Sequence, residues 1–450
     1  MSKKTDIIVI GGGPAAVVSA ITAKKHNPNK SVALIRKNKL SPIPCGIPYV
    51  FGSLDSVDKN IIADKGLIDH NVDIIIDEVI NIEPQAHNIQ SKSGKKFSYE
   101  KLILATGSKP TSVPLEGISL PSVYPIRKDV EYLREIKQKI EETTNVVIIG
   151  GGFIGIEMAD EIQKMGKQVT LIEMQSHCLT LAFDEAFGAQ MEEKLRDKGI
   201  QILTNTKVEK ITGSGQVEGI LLSDGNTLPA DAVILAIGSA PNTNLAKEAG
   251  LSVNEQGAVI VNEYMKTSDN DVFAVGDCAE KRDFFTRERT VTMLASTATS
   301  EARIAGMNLY QLQVLRQNIG TIGIFSTGID NISMAAAGLT ESMAVSQGFD
   351  VVIGKATAPD KHPGALKGMS MITLKLVFSK QSGTILGGQI SGGVSVGEMI
   401  NVIGMAIQQK LSITDLITLQ IGTHPLLTSP PTAYPIISAA QDALMKLKKE

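Results

Sequence analysis

Short apolar runs interrupted by glycine dominate the first half of the chain and predict a parallel α/β fold. Ile7–Ile10 is apolar and β-branched, which is typical of a strand buried on both faces. After three glycines, the stretch 15–25 is rich in small residues and predicts a helix, and Val32–Ile35 predicts the next strand. This order is that of a βαβ unit.

The same pattern recurs near the middle of the chain. Val146–Ile149 predicts a strand, Gly150–Gly155 forms a second glycine-rich loop, residues 156–165 predict a helix, and Val169–Ile172 predicts another strand. An internal duplication of this kind predicts two Rossmann-type dinucleotide-binding modules.

Two similar strand-to-turn segments close the two modules, at 102–110 and 233–241. In each, an apolar run is followed by a glycine, which permits a tight passage of the backbone beside a nucleotide. We therefore expect Thr106 and Gly107 in the first segment, and Gly238 in the second, to line nucleotide sites.

The pattern changes beyond Gly320. Strand-like runs at 320–325, 371–378 and 384–390 precede helical patterns near the end of the chain, and no further dinucleotide loop appears. This part predicts a separate α+β domain. The expected domains are a discontinuous first dinucleotide-binding domain at residues 1–110 with 245–320, a second dinucleotide-binding domain at 111–244, and a separate C-terminal domain at 321–450.

Composition narrows the class of protein. The 450 residues are 43% hydrophobic, which is ample for several cores, and the net charge of −3 gives no reason to expect nucleic acid or an anionic membrane as a partner. The three cysteines are too few and too scattered for a disulfide framework, which favours a reducing compartment. No apolar run reaches the roughly 18 residues that span a bilayer. We expect a cytoplasmic protein.

The second glycine loop carries the complete dinucleotide pattern in the right strand–loop–helix context. Gly150 allows the turn, Gly152 lets a pyrophosphate approach the backbone, and Gly155 lets helix and strand pack closely. Glu173 ends the next strand, where a carboxylate accepts a hydrogen bond from a ribose 2′-hydroxyl and repels a 2′-phosphate. This predicts NADH rather than NADPH, unless Glu173 is simply an acid at a strand end.

The first glycine loop departs from the usual pattern at its acidic position. Gly11 and Gly13 are followed by Ala16 in the permissive third place, but Arg36 and then Lys37 stand where the acid is expected. Arg36 either binds a phosphate-bearing adenosine or stacks on the adenine ring while another group holds the ribose. We favour stacking, because the other features fit FAD at this site.

One of those features is the Gly276–Asp277 pair, which follows a third predicted strand that begins at Val272. It places a carboxylate where it can bind the ribityl chain of FAD. The alternative is an ordinary Gly-Asp turn.

Cys45 is the strongest candidate for chemistry. It lies between prolines in a turn-rich stretch just beyond the first module, and no second cysteine follows within ten residues. A local redox disulfide is therefore excluded, so the oxidised partner must come from a substrate or from oxidation of Cys45 itself. A catalytic thiol reacts as the thiolate. We expect Cys45 to be redox-active, and Cys178 and Cys278 to be core residues.

Together these features resemble the FAD-dependent pyridine nucleotide–disulfide oxidoreductases. More narrowly, the chain is similar to the single-cysteine branch, which holds coenzyme A disulfide reductases, NADH oxidases and NADH peroxidases. The resemblance covers nearly the whole chain and rests on the motifs Gly11–Ala16, Cys45–Tyr49, Ala105–Gly107, Gly150–Gly155 with Glu157, and Gly276–Asp277. It implies an FAD-binding domain at residues 1–110 with 245–320, an NAD-binding domain at 111–244 that uses NADH, and a C-terminal dimerisation domain at 321–450 that forms a homodimer. The cofactor-binding residues it implies, with those above, are Gly11, Gly13, Pro14, Ala15, Ala16, Arg36, Lys37, Thr106, Gly107, Gly150, Gly152, Phe153, Ile154, Gly155, Glu157, Glu173, Gly238, Gly276 and Asp277.

Three positions distinguish members of this branch. Oxidases and peroxidases typically carry a histidine where this chain has Pro14, which transfers no proton. The spacing from Cys45 to Pro48 and Tyr49 is similar to the coenzyme A disulfide reductase motif. Phe153 stands where relatives place an aromatic gate over the flavin, unless it only packs helix against sheet.

The C-terminal domain offers two proton donors. His424, next to Pro425, resembles the acid/base histidine that two-cysteine reductases receive from the partner subunit, but the acid that normally follows it is absent. His424 is thus either an unsupported acid/base or a loop histidine. Tyr434 is the alternative donor in the same segment.

The resemblance implies an NADH-dependent flavoprotein that reduces a low-molecular-weight disulfide, persulfide or polysulfide through Cys45, with coenzyme A disulfide as the leading candidate. Lys24, Lys25 and His26 would then meet its phosphates, or else form ordinary surface charge. Two alternatives stay open. One is an NADH oxidase in which Cys45 cycles through a sulfenic acid. The other is a reductase for a small redox protein, with Cys45 structural.

Overall fold

The computed structural model describes residues 3–314 and 318–449, and the chain divides into two compact units. The first comprises Met1–Pro114, Tyr124–Thr143 and Ile237–Thr321, and the second comprises Leu115–Val123, Thr144–Ala236 and Ile322–Glu450. The predicted class, two Rossmann-type modules and a C-terminal α+β region, is confirmed. The three domain boundaries stay a prediction, because the second unit holds both the second module and the C-terminal region.

A five-stranded parallel sheet forms the centre of the first unit. Its strands, in spatial order, are Val272–Ala274, Lys101–Leu104, Ile7–Ile10, Val32–Arg36 and Asp73–Ile76. The central strand Ile7–Ile10 is buried at every position, which explains its uninterrupted apolar sequence. Helices Pro14–His26 and Ala295–Met307 pack together. Gly306 permits their close approach, because a Cβ at this position would lie only 2.9 Å from the Cβ of Thr22.

Further α-helices and smaller β-structures complete the described part of the first unit. Its other helices are Lys65–Asp69, Val130–Glu141 and Asn244–Glu248. Four of its other strands form a sheet in the order Lys3–Lys4, Lys96–Ser98, Asn88–Ser91 and Val79–Glu83. Two two-stranded ribbons pair Ser108–Pro110 with Ser239–Pro241, and Lys281–Arg282 with Arg289–Thr290.

The ribbon Ser108–Pro110 with Ser239–Pro241 explains the repeated strand-to-turn pattern. The two segments pair antiparallel, with Ala240 opposite Lys109. Gly107 and Gly238 precede the two strands with φ of +67° and +94°, a conformation that side chains with a Cβ rarely adopt. The similar sequences therefore converge on one two-stranded structure.

The described part of the second unit contains one mainly parallel sheet and two antiparallel sheets. The parallel sheet has the order Val123–Pro125, Ala232–Leu235, Asn145–Ile149, Gln168–Ile172 and Gln201–Leu203, with helices Phe153–Lys164 and Glu185–Asp197. Three further strands form a small antiparallel sheet: Val208–Thr212, Gly219–Leu222 and Thr227–Pro229.

The C-terminal region is built on a five-stranded antiparallel sheet. Its strands, in spatial order, are Ile324–Ile329, Ile332–Gly338, Ile385–Gly392, Met371–Ser379 and Val351–Pro359. Its helices are Glu341–Ser346, Val396–Gln408, Ile413–Ile417 and Pro435–Leu447. Strand Val351–Pro359 lies under helix Pro435–Leu447, and Gly354 permits the contact, since a Cβ there would lie 2.0 Å from the carbonyl oxygen of Ala439.

Two element boundaries have local explanations, and one of them differs from the expectation. The helix from Ala295 ends at Met307, because the Asn308 side-chain oxygen accepts hydrogen bonds from the amides of Gln313 and Val314 and turns the chain. The strand expected at 320–325 begins at Ile324, because Gly320 has φ of +110°.

Within residues 3–314 and 318–449, no helix has the length and apolar character needed to cross a bilayer. The same part of the chain holds no cluster of side chains arranged to bind a metal ion.

Candidate cofactor sites and the reactive cysteine

The first glycine loop leaves a helix N-terminus open for a phosphate. Gly11 has φ of +141°, and a Cβ there would lie 2.2 Å from the carbonyl oxygen of Ala105. Gly13 precedes the helix that begins with Pro14, no side chain caps that end, and the space where a Cβ would stand is empty. Unpaired amides at a helix N-terminus attract an anion. The loop therefore fits the pyrophosphate of FAD, and Ala15 and Ala16 are buried behind it.

Arg36 is held by a neighbouring acid. Its two terminal nitrogens each lie 2.7 Å from one carboxylate oxygen of Asp64, and one of them also donates to the Lys39 carbonyl at 2.6 Å. This guanidinium edge is occupied and the side chain is only 4% exposed, so contact with a phosphate gains no support, and stacking on adenine stays a prediction. Lys37 is exposed and pairs with Glu78 at 3.0 Å.

Asp277 is oriented by two side chains that the sequence patterns did not identify. Its Oδ2 accepts hydrogen bonds from Lys128 at 2.8 Å and from Ser108 at 2.7 Å, and no described residue donates to its Oδ1. Burial raises the pKa of Asp277, but the Lys128 charge and the two hydrogen bonds outweigh burial, so the pKa is lowered. An ionised carboxylate with one free oxygen fits a ribityl hydroxyl. No motif linked Lys128 to this turn.

Thr106 lies beside the same region but makes a structural contact. Its hydroxyl donates to the Asn242 carbonyl at 2.6 Å, and the Asn242 amide donates to the Gly107 carbonyl at 2.9 Å. The Gly238 carbonyl accepts from the Thr111 amide at 3.1 Å. These bonds hold the two-stranded ribbon, so a nucleotide contact by Thr106, Gly107 or Gly238 stays a prediction.

The second glycine loop repeats the geometry of the first. Gly150 has φ of +107°, and a Cβ on Gly155 would lie 1.8 Å from the Gly150 carbonyl oxygen. Gly152 precedes helix Phe153–Lys164 with φ of −73°, close to the −83° of Gly13, and again nothing occupies the Cβ position. The helix N-terminus, including Ile154, therefore fits the pyrophosphate of a second dinucleotide.

Glu173 lies at the mouth of this loop. Its two carboxylate oxygens accept hydrogen bonds from the amides of Gly151 at 2.6 Å and Gln175 at 2.7 Å. Each oxygen keeps a further acceptor site, which suits a ribose hydroxyl. The carboxylate thus both fixes the loop and presents negative charge, as the expected NADH preference requires.

Phe153 and Glu157 project from helix Phe153–Lys164 towards the C-terminal sheet. The Phe153 ring stacks on Phe325, with centroids 5.1 Å apart and planes 12° apart, and lies 6.3 Å from the ring of Phe183. This packing supports the structural interpretation of Phe153, and its role as a gate stays a prediction. Thr327 donates to Glu157 at 2.8 Å.

Burial makes Glu157 an unusual acid. Its pKa is raised to about 7, mainly because burial penalises the charged form, while the Thr327 hydrogen bond opposes the shift and Glu161 adds to it. Glu157 therefore holds its proton between pH 4.5 and about 7, where an ordinary glutamate is ionised. The motif identified the residue but gave no sign of this titration.

Cys45 is exposed, whereas Cys178 and Cys278 are buried as predicted, and none of the three forms a disulfide. Burial raises the pKa of both buried thiols, which disfavours their reactive thiolate forms. Cys45 lies in the 3₁₀ turn Pro44–Gly46. Of the three, it alone is both accessible and placed in a loop.

The segment that carries Cys45 is anchored from two sides. A Cβ on Gly46 would lie 2.0 Å from the side-chain oxygen of buried Asn60, whose amide donates to the Ile43 carbonyl at 3.0 Å. Lys137, on helix Val130–Glu141, donates to the Val50 carbonyl at 2.8 Å. These contacts fix the backbone around the thiol.

The C-terminal candidates differ in exposure. His424 is exposed, and its Nδ1 accepts a hydrogen bond from the Leu426 amide at 3.2 Å. That bond places the proton of the neutral ring on Nε2. Tyr434 is half-buried just before helix Pro435–Leu447, and burial raises the pKa of its hydroxyl.

The basic cluster expected to meet coenzyme A phosphates is partly engaged in local contacts. Lys24 donates to the carbonyls of Pro28 at 2.9 Å and Lys30 at 2.8 Å, and His26 lies 3.0 Å from the Gln313 side chain. Only Lys25 extends from an exposed position without such a contact among the described residues. The arrangement favours ordinary surface charge.

Changing Glu157 to Gln removes the titration while keeping an acceptor for Thr327. The folded protein holds the Glu157 proton more tightly than the unfolded chain, so wild-type stability falls as the pH rises from 4.5 to about 7. Above that range, cofactor-free Glu157→Gln should be more stable than wild type by about 1–3 kcal/mol, and the gain should vanish near pH 4.5. Thermal unfolding of both proteins near pH 4.5 and above about pH 7 measures this difference in stability. The same change at an exposed glutamate, Glu255→Gln, is the control. If Glu157→Gln raised stability equally at both pH values, the raised pKa of Glu157 would be contradicted.

Comparison with known proteins places these sites in a family. Residues 5–302 match the pyridine nucleotide-disulphide oxidoreductase model, and residues 324–434 match the dimerisation domain of that family. An NADH oxidase from Methanocaldococcus jannaschii is 32% identical over 462 residues, covering 98% of this chain and 99% of that protein. An NAD(P)H coenzyme A polysulfide/persulfide reductase from Pyrococcus horikoshii is 33% identical over 402 residues, covering 86% and 88%.

Solved structures agree with the sequence relatives. The structure of an NAD-dependent persulfide reductase from A. fulgidus matches with a TM-score of 0.91 and 29% identity, covering 99% of this chain and 84% of that chain. The two glycine loops, the acids at Glu173 and Asp277, and these matches lead to one conclusion. The chain belongs to the pyridine nucleotide–disulphide oxidoreductase family and is an FAD-dependent NAD(P)H oxidoreductase.

Proposed function

We propose that this protein uses NAD(P)H, with NADH preferred, to reduce a low-molecular-weight disulfide, persulfide or polysulfide at Cys45. The observation that carries the proposal is the single accessible thiol, since the other two cysteines are buried. With no neighbouring thiol in sequence, the sulfur partner of Cys45 comes from the substrate. Coenzyme A disulfide is the leading candidate, and relatives named as coenzyme A-dependent sulfur reductases support this class of substrate.

The chemical step is thiol–disulfide exchange. The Cys45 thiolate attacks one sulfur of the substrate, a new S–S bond forms to Cys45, the substrate S–S bond breaks, and one thiolate leaves. When bound, NAD(P)H and FAD supply the two electrons that later cleave the Cys45 adduct and release the second thiolate. The anchored backbone at Gly46 and Val50 keeps the thiol in place through both stages.

A proton donor assists the leaving thiolate, and His424 suits this role. The Leu426 amide occupies Nδ1, so neutral His424 presents an Nε2 proton. Tyr434 stays the alternative, since its raised pKa keeps the hydroxyl protonated. The match to a dimerisation domain supports a homodimer in which a second copy of the chain contributes this donor.

The protein is expected to act in the cytoplasm on a small-molecule substrate. Its three cysteines, too few and too scattered for a disulfide framework, support a reducing compartment, and its net charge of −3 gives no reason to expect nucleic acid or membrane partners.

An NADH oxidase is the second candidate, favoured by the relative of that name from M. jannaschii. In this reaction Cys45 would cycle between thiolate and sulfenic acid, with oxygen as the electron acceptor. Pro14 argues against it, because it occupies the first position of its helix and can neither donate nor accept a proton there. Oxygen uptake that matches NADH loss without added disulfide would establish the oxidase.

Replacing Cys45 tests the proposal directly. FAD-loaded wild type should oxidise NADH anaerobically when coenzyme A disulfide or polysulfide is present, and Cys45→Ser and Cys45→Ala should lower that turnover by about 1000-fold or more, because the nucleophile is lost. Ser56→Ala changes a hydroxyl in the same segment and should keep most of the turnover. Full activity of both Cys45 variants would overturn the proposal.

The nucleotide preference rests on Glu173. Glu173→Arg should lower the ratio of kcat/KM for NADH to that for NADPH by about 10- to 100-fold, because the charge that accepts a ribose hydroxyl and repels a 2′-phosphate is reversed. Steady-state kinetics with both nucleotides measure the ratio. Since Glu173 also holds the Gly151 amide, Glu173→Gln separates lost charge from a disturbed loop. An unchanged ratio in Glu173→Arg would contradict the role of Glu173.

A further inference from the structure

A buried ion pair lies behind the turn that carries Asp277. The Lys281 Nζ lies 3.0 Å from Glu301 Oε2, and the two side chains are only 4% and 1% exposed. Lys281 belongs to the short strand Lys281–Arg282, and Glu301 lies on helix Ala295–Met307. No dinucleotide-binding motif assigns a role to either residue.

Both side chains bind the backbone of Gly276. Lys281 Nζ donates to the Gly276 carbonyl at 2.6 Å and to the Ala279 carbonyl at 2.9 Å. Glu301 Oε2 accepts from the Gly276 amide at 2.9 Å. The N–H and the C=O of one residue are therefore each held by a buried charge.

Gly276 gives that turn its backbone conformation. Its φ is +73°, and a Cβ there would lie 3.0 Å from the Cβ of Ala15 and 3.5 Å from that of Ala298. Asp277 follows directly, so the orientation of the Gly276 peptide groups sets the direction of the Asp277 backbone. Lys128 and Ser108 then hold the carboxylate itself.

Stability alone is a poor explanation for this pair. Burying two charges costs free energy, and apolar side chains of similar volume are often at least as stabilising. Glu301 also has a buried Oε1 with no hydrogen-bond partner among the described residues, and burial raises its pKa. An arrangement with such costs fits a positional role.

We propose that Lys281 and Glu301 are positioning residues for FAD, which fix the Gly276 turn so that the Asp277 carboxylate faces the ribityl chain. They act through the backbone and touch neither substrate nor the reacting sulfur. The inference rests on FAD binding at this turn, and it is independent of which electron acceptor the protein uses.

The test compares FAD binding with folding. A single substitution leaves one buried charge unpaired and risks unfolding, so the main variant is the neutral pair Lys281→Met with Glu301→Gln. Its FAD dissociation constant, measured by flavin fluorescence, should rise by about 10-fold or more. The increase in Tm that FAD gives should shrink accordingly, because ligand stabilisation depends on the dissociation constant.

Coupling to Asp277 separates positioning from general damage. If the pair acts through Asp277, Asp277→Asn should weaken FAD binding much less in the neutral-pair background than in wild type, because the two changes are not additive. Lys375→Met removes a partly buried cation paired with Asp184 and Glu341 in the other unit, and it should lower Tm without changing FAD affinity.

Equal losses of Tm in cofactor-free and FAD-loaded protein, with an unchanged dissociation constant, would overturn the inference and leave the pair purely structural. Additive effects with Asp277→Asn would overturn it as well. If the wild-type protein did not bind FAD, both this inference and the proposed function would be wrong. A protein that binds FAD but reduces no sulfur compound would leave the positioning role intact.

Discussion

The close approach of a glycine loop to the neighbouring backbone is the contact on which the rest of this protein depends. A Cβ on Gly155 would lie 1.8 Å from the Gly150 carbonyl oxygen, and one on Gly11 would lie 2.2 Å from that of Ala105. Because neither glycine has a side chain, each helix begins directly against its strand with its first amides open. Each unit thereby gains an anion site at the end of a buried strand.

Charge then decides what each anion site can hold. In the second unit, Glu173 accepts two backbone amides and still presents a carboxylate to a ribose. In the first, Arg36 stands where the acid is expected and is bound by Asp64, while Asp277, whose pKa the Lys128 charge lowers, lies at a different turn and fits the ribityl chain. The two modules therefore have similar loop backbones, and their carboxylates lie at different positions. In the proposed function, electrons supplied through these sites are passed to Cys45, the exposed cysteine.

Sequence predicted the parts of the protein that depend on local backbone geometry. The glycines of both loops, the buried strands and the turn that carries Cys45 all follow from short-range patterns, because φ and burial restrict which residues fit. The contacts of Lys128, Lys281 and Glu301 with the Gly276 turn were missed, since they join segments far apart in the chain. The raised pKa of Glu157 was missed for the same reason, because it depends on burial and on Thr327.

The central claim is that Cys45 forms a mixed disulfide with the substrate. The most direct test is the mass of the protein, and of its Cys45 peptide, after reaction with a disulfide. Pre-reduced, FAD-loaded protein would be mixed anaerobically with coenzyme A disulfide without NADH, and its intact mass and peptide map recorded under non-reducing conditions. The account predicts one coenzyme A per chain, attached through a disulfide at Cys45 and lost on addition of NADH. An unmodified Cys45, or an adduct that forms equally in Cys45→Ser, would contradict it.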